Sequence, residues 1–72
     1  MEERELLLKT LGERIVSLRK ERNISQAELA HMSNMESPSL RKIEKGRINP
    51  TVWTLHRLCK TLGISLAELF EL

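Results

Sequence analysis

Apolar residues recur at helical spacing along most of the chain, and no segment sustains the alternation of a β-strand. Leu11, Ile15 and Leu18 fall at i, i+4 and i+7, the period of a helix with one buried face. A first helix is predicted over about residues 2–22. Gly12 lies inside it, where Gly costs about 1 kcal/mol. Leu6-Leu7-Leu8 therefore either extend this helix or fold over as a separate turn. Asn23 ends it, and Ile24 packs into the junction. Ser25 and Glu28 form an S-x-x-E capping box that opens a second helix over about residues 26–33, with Leu29 and Ala30 on its inner face. Asn34 falls at a sharp bend, and Asn tolerates positive φ. Met35, Leu40 and Ile43 supply apolar positions for a third helix over about residues 37–45. Glu36 or Ser37 is its N-cap, Pro38 stands in its first turn, and Gly46 terminates it. GRINP at 46–50 reads as a loop. Thr51 caps a fourth helix over about 52–62, ended by Gly63. Ser65 and Glu68 make a second capping box for a short fifth helix over about 66–71.

The fold class is therefore all-α, with five helices in one domain spanning residues 1–72. The connections are short, so consecutive helices are neighbours. The expected core is Leu11, Ile15, Leu18, Ile24, Leu29, Ala30, Met35, Leu40, Ile43, Val52, Leu55, Leu58, Cys59 and Leu62. The second and third helices, joined by a tight turn, have the form of a helix-turn-helix, whose second helix normally enters the DNA major groove.

Charge adds to this picture through its distribution rather than its sum. The formal charge is only +2. Residues 1–36 hold six Lys/Arg against seven Glu, whereas residues 37–72 hold six against three. From Arg41 to Lys60 there are six basic residues and one Glu, which puts a basic surface on and just after the third helix.

Catalytic chemistry finds little support. The chain has no Asp and no Tyr, and its two His, His31 and His56, neighbour no plausible nucleophile. There is no H-E-x-x-H, no Gly-rich phosphate loop and no Cys pair. Cys59 stands alone and reads as a small core residue. An enzyme, a metal site and a bound cofactor are not expected. No apolar run approaches the roughly 20 residues of a membrane span, and the acidic N-terminus does not suit a secretory signal. A soluble cytoplasmic protein is expected. The short chain also argues against a built-in small-molecule sensor.

The stretches LGERIVSLRKERNISQAELAHMSN and LRKIEKGRINPTVWTLHRLCKTLGISLAELF resemble the Cro/phage-repressor type helix-turn-helix family, also called XRE-like regulators. The likeness covers residues 11–70 and holds SQAELA, IEKG, NPT and LGISLAELF in register. It implies a five-helix lambda-repressor-like domain. It also implies a homodimer, sequence-specific binding of a roughly palindromic operator, and a pairing of Arg19 with Glu44. It places Gln26, with Ser25 beside it, at the DNA backbone. Ser37, Pro38, Arg41 and Lys42 fall toward the groove, and Ser39, Lys45, Arg47 and Asn49 near phosphates. The chemistry agrees for the basic members, which release counterions and contact guanine. Two departures stand out. Asn34 occupies a turn position usually held by Gly, and Glu36-Ser37-Pro38 opens the recognition helix with a carboxylate and a donorless ring. Direct base readout is expected to rest on few residues, Lys42 and Arg41 with Ser37 assisting.

Trp53 falls outside the apolar stripe of its helix, among His56, Arg57 and Lys60. It is either a partial lid on the core or part of an interface, and aromatic enrichment at interfaces favours a dimer contact. His56, Leu69, Phe70 and Leu72 are expected to join it, although Phe70 and Leu66 also suit the core edge. Two other functions fit the same pattern. One is the antitoxin of a toxin–antitoxin pair, which binds DNA and a partner. The other is an interaction module that has lost DNA binding, as Glu36 would allow.

Overall fold

The computed structural model describes residues 2–72. The helices are α1 (Glu3–Glu21), α2 (Gln26–Met32), α3 (Ser37–Glu44), α4 (Val52–Leu62) and α5 (Leu66–Leu69), with no strand among the described residues. Local chemistry sets each boundary. Ser25 and Ser65 both close complete capping boxes with Glu28 and Glu68. The Thr51 hydroxyl accepts from the backbone N–H of Thr54. Asn23 and Asn34 take positive φ values of 54° and 56° at the ends of α1 and α2. Glu36 is the N-cap of α3. Leu6-Leu7-Leu8 continue α1.

The core is built by Leu11, Ile15 and Leu18 of α1, Leu29 and Ala30 of α2, Leu40 and Ile43 of α3, and Leu55, Leu58, Cys59 and Leu62 of α4. Ile24 and Met35 pack at its edge, partly buried. Burial pushes the Cys59 thiol up, with a smaller push from Glu68, so it stays protonated and inert.

Three expectations are corrected. Val52 does not join the core but is 69% exposed. The inward stripe of α4 is Leu55, Leu58, Cys59 and Leu62, and the first turn projects beyond the packed layer. Leu69, expected at a dimer surface, is 0% exposed. The capping box turns α5 so that Leu69 points inward, between α1 and α4, where it completes the core. Helix α5 is also shorter than expected and stops at Leu69.

Gly12 has a specific structural reason. A Cβ there would strike the carbonyl oxygen of Glu44 and lie 2.7 Å from that of Ile43. At Gly46, in the left-handed region with φ +70°, a Cβ would lie 2.7 Å from Lys9 Cα. The two glycines let α1 meet the C-terminal end of α3 backbone to backbone. Gly12→Ala is therefore expected to destabilise by about 1–3 kcal/mol, the cost of overpacking, despite the better helix propensity of Ala. Urea unfolding that shows Gly12→Ala equal to or more stable than the native protein would disprove this close approach.

The capping boxes carry a pH signature. Hydrogen bonds from the Ser25 and Ser65 backbones, then from their hydroxyls, hold the Glu28 and Glu68 carboxyls below their ordinary value of 4.5. A carboxyl lowered on folding stabilises above its unfolded pKa, and that contribution fades as pH falls through the folded value. Replacing both with Gln keeps an acceptor in each box. The stability difference between native and double-Gln proteins is expected to be constant above about pH 5 and to shrink below it. Urea midpoints measured across this range check it.

Candidate nucleic-acid interface

The turn between α2 and α3 is fixed from both sides. Met35 N–H donates to Ala30 O at 2.9 Å and Asn34 N–H to His31 O at 3.1 Å, closing α2. From α4, Arg57 Nη1 donates to Asn34 O at 3.1 Å, and the Ser33 and Thr61 hydroxyls meet at 2.9 Å. These bonds hold α3 at a set angle to α2.

Leu40, Ile43 and Glu44 are the buried residues of α3. Pro38, Arg41, Lys42 and Lys45 follow one another at i, i+3, i+4 and i+7 and are all exposed. Ser39 is exposed beside this stripe, and Ser37 is half-buried at its start. Arg47 and Asn49 extend the exposed surface into the loop. Among the described residues, no side-chain hydrogen bond or ion pair engages Arg41, Lys42, Lys45 or Arg47.

Four other arginines are committed to the scaffold. Arg14 donates to the carbonyls of Leu69 and Glu68 at 3.3 and 2.8 Å, and Arg22 to those of Leu62 and Leu18 at 2.7 and 2.9 Å. Arg57 serves the turn, as above. Arg19 meets Glu44 in a bidentate pair, with Nε to Oε2 at 2.9 Å and Nη2 to Oε1 at 3.1 Å. Gln26 Nε2 also donates to Glu44 Oε1 at 2.8 Å, and Arg19 Nη1 caps the carbonyl of Ile24 at 3.1 Å. The side chains of Arg19 and Glu44 are 12% and 4% exposed. The acid within the basic segment is thus turned inward and neutralised.

This geometry refines the residues expected from the sequence. The exposed group comprises Pro38, Ser39, Arg41, Lys42, Lys45, Arg47 and Asn49. The Gln26 amide is bonded to Glu44 and the side chain is half-buried, and the Ser25 hydroxyl accepts from Glu28 N–H. Arg57, counted in the basic segment, is a half-buried turn anchor. Its role and those of Arg14 and Arg22 were not legible in the sequence, because their partners are backbone carbonyls with no residue identity. Trp53 and His56 are exposed on α4 and stack with ring centroids 5.5 Å apart. Phe70 is also exposed. Leu72 lies elsewhere, in a shallow groove with Glu3, Leu6, Leu7 and Thr10 of α1.

A five-helix bundle that presents a charged outer face on the second helix of a helix-turn-helix belongs to a class of DNA-binding regulators. The helix-turn-helix family model matches residues 15–69, and the chain belongs to the Cro/phage-repressor type helix-turn-helix family. This family of transcriptional regulators is non-enzymatic. The chain is 39% identical over 61 residues to the uncharacterized HTH-type transcriptional regulator y4dJ of Sinorhizobium fredii, covering 85% of this chain and 79% of that one. It is 38% identical over 60 residues to the immunity repressor protein of Bacillus phage phi105, covering 83% of this chain and 42% of the repressor. The chain therefore spans less than half the length of that repressor. Among solved structures, the restriction-modification controller protein C.AhdI of Aeromonas hydrophila superposes with a TM-score of 0.86 at 30% identity, over 88% of this chain and 96% of that one. The clp gene regulator ClgR of Corynebacterium glutamicum gives 0.84 at 30% identity, over 88% and 67%.

Removing one partner of the Glu44 cluster leaves a buried charge uncompensated. Arg19→Met or Glu44→Gln is expected to cost about 3 kcal/mol or more. The double substitution should cost clearly less than the sum of the two, by about 1 kcal/mol or more. Denaturant unfolding of the four proteins in a double-mutant cycle measures this, and strict additivity would show that the pair contributes nothing as a pair.

Proposed function

We propose that this protein is a cytoplasmic transcriptional regulator that binds a palindromic operator as a homodimer, with α3 in the major groove. The observation that carries the reading is the exposed row of Arg41, Lys42, Lys45 and Arg47, free of internal side-chain partners among the described residues, whereas Arg14, Arg19, Arg22 and Arg57 are bonded within the helical scaffold. On this reading Lys45 and Arg47 meet phosphates, with Ser39 and Asn49 beside them, and Lys42 and Arg41 reach base edges with help from Ser37. Gln26 acts by orienting α3 through Glu44, and Ser25 by starting α2.

Reach supports the dimer. The described chain has principal extents of 32 × 24 × 21 Å and one helix of this kind. Successive major grooves on one DNA face lie about 34 Å apart, so two recognition helices require two chains. The first turn of α4 supports a contact surface, with Val52 69% and Trp53 65% exposed and His56 stacked beneath the indole. Phe70 extends the apolar surface of the chain near its C-terminal end.

Fluorescence anisotropy with a duplex selected from random DNA tests the DNA contact. Arg47→Ala is expected to weaken selected and random duplex alike and to lower the salt slope by about one unit. Lys42→Ala should relax base preference at one or two positions per half-site, at about 1–3 kcal/mol. If both variants bind as the native protein does, α3 is not the reading helix.

Sedimentation velocity tests the dimer. Native protein is expected to sediment as a dimer at micromolar concentration, and Trp53→Ala as a monomer with unchanged helical circular dichroism. A native protein that stays monomeric, or a Trp53→Ala variant that stays dimeric, argues against this surface.

A further inference from the structure

The start of α3 differs chemically from the starts of α2, α4 and α5. In those three helices the N-cap hydroxyl of Ser25, Thr51 or Ser65 accepts the backbone N–H three residues ahead. Glu36 occupies the same place in α3 and makes no side-chain cap bond. It is exposed and takes part in no ion pair among the described residues. The contrast with neighbouring acids is sharp. Glu28 folds back onto Ser25 N–H, and Glu44 is enclosed by Arg19 and Gln26. Glu36 is thus an exposed carboxylate at the leading end of a helix whose other exposed charges are basic. Two residues on, Pro38 is exposed and presents an apolar ring without an N–H.

In a helix-turn-helix the N-terminal residues of the reading helix contact base edges. An ionised carboxylate only accepts hydrogen bonds. In the major groove, cytosine offers the N4 amino donor with no acceptor of its own beside it, adenine offers the N6 donor next to the N7 acceptor that repels a carboxylate, and guanine presents O6 and N7 and thymine O4, all acceptors. A pyrrolidine ring has the opposite limitation and suits the methyl group at pyrimidine C5. The N4 donor and a C5 methyl lie on the same edge of one base only when that base is 5-methylcytosine. Thymine has the methyl but opposes the carboxylate with O4.

We propose that Glu36 and Pro38 are a specificity-determining pair, in which Glu36 accepts from cytosine N4 in each half-site and Pro38 packs on the C5 edge of that base, so that cytosine-5 methylation tightens binding. The proposal rests on the DNA-binding reading above and names the base chemistry of that same site. It also gives the carboxylate a role. Near phosphates Glu36 weakens binding to random DNA, and it recovers that loss best where a cytosine amino group, with no acceptor of that base beside it, is present, which widens the gap between specific and non-specific binding.

Parallel selections from random duplex libraries, one made with cytosine and one with 5-methylcytosine, test this, followed by anisotropy titration of the enriched duplex. The native protein is expected to fix cytosine at one position per half-site, and a methyl group there to tighten each half-site contact about fourfold, the worth of one buried methyl. Glu36→Gln should move the preference at that position from cytosine to adenine, whose N6 and N7 match a carboxamide, and should strengthen binding to random duplex. Pro38→Ser should keep the cytosine preference and lose the methyl gain. Circular dichroism melts confirm that each variant is folded, since a loss of structure cannot exchange one preferred base for another. An unchanged base preference in Glu36→Gln, or methylation that leaves native binding unchanged or weakens it, overturns the proposal. If the native protein enriches no sequence from either library, the DNA-binding reading itself fails, which is a separate result.

Discussion

Glu44 enters the interior as a carboxylate at the C-terminal end of α3, and the position of the recognition helix depends on how that charge is held. Three hydrogen bonds reach it, two from Arg19 on α1 and one from Gln26 on α2. The cluster therefore ties three helices at one point, with geometry that a purely apolar contact would not impose. The backbone is arranged to match. Gly12 and Gly46 remove the side chains that would keep α1 away from the end of α3, and the same approach brings Arg19 within reach of Glu44. Desolvation of the carboxylate is offset only while all three donors stay in place, so this contact is stringent as well as stabilising.

The arginines divide between two tasks by location. Arg14 and Arg22 on α1 and Arg57 on α4 have carbonyls at the ends of helices within reach, and they bind them: Arg14 at α5, Arg22 at α4, Arg57 at the turn. Guanidinium groups suit this because several fixed donors satisfy carbonyls that a helix end leaves free. Those on the outer face of α3 and the following loop have no such partner. The result is four scaffold arginines held by internal partners and an outer face on α3 whose basic side chains have none among the described residues.

Local signals in the sequence were sufficient for the helices, since capping boxes, Asn turns and terminating Gly residues are short-range chemistry. Apolar spacing gave most of the core for the same reason. The errors were made at α4 and α5. Val52 lies at the spacing of a core residue, but nothing packs over the first turn of α4. Leu69 sits in a helix too short for a period to reveal its inner face, and only the tertiary position of α5 between α1 and α4 buries it. Gly12 looked like a cost to helix propensity because its benefit lies in a neighbouring helix 32 residues away in sequence. In the candidate site, the basic row could be read from charge and spacing. The sorting of free from committed arginines could not, because a carbonyl partner leaves no mark in a sequence.

The two ends of α3 show how a small domain keeps one part of a helix free for chemistry. The helix opens on an N-cap carboxylate that makes no cap bond, followed by a first turn with a proline without an N–H and no acidic residue. The start lacks the cap hydrogen bond that α2, α4 and α5 have, and an isolated eight-residue helix would not form. The helix persists because its far half is fixed: Leu40 and Ile43 are buried in the core, Glu44 is held by two other helices, and Arg41 and Lys42 suit the negative end of the dipole. A conventional Ser or Thr cap at position 36 would add stability where the helix does not need it, and would use an acceptor on its own backbone. With the anchor at the C-terminal end, the side chains of the first turn carry no structural duty, and their chemistry is available to whatever enters the groove they face.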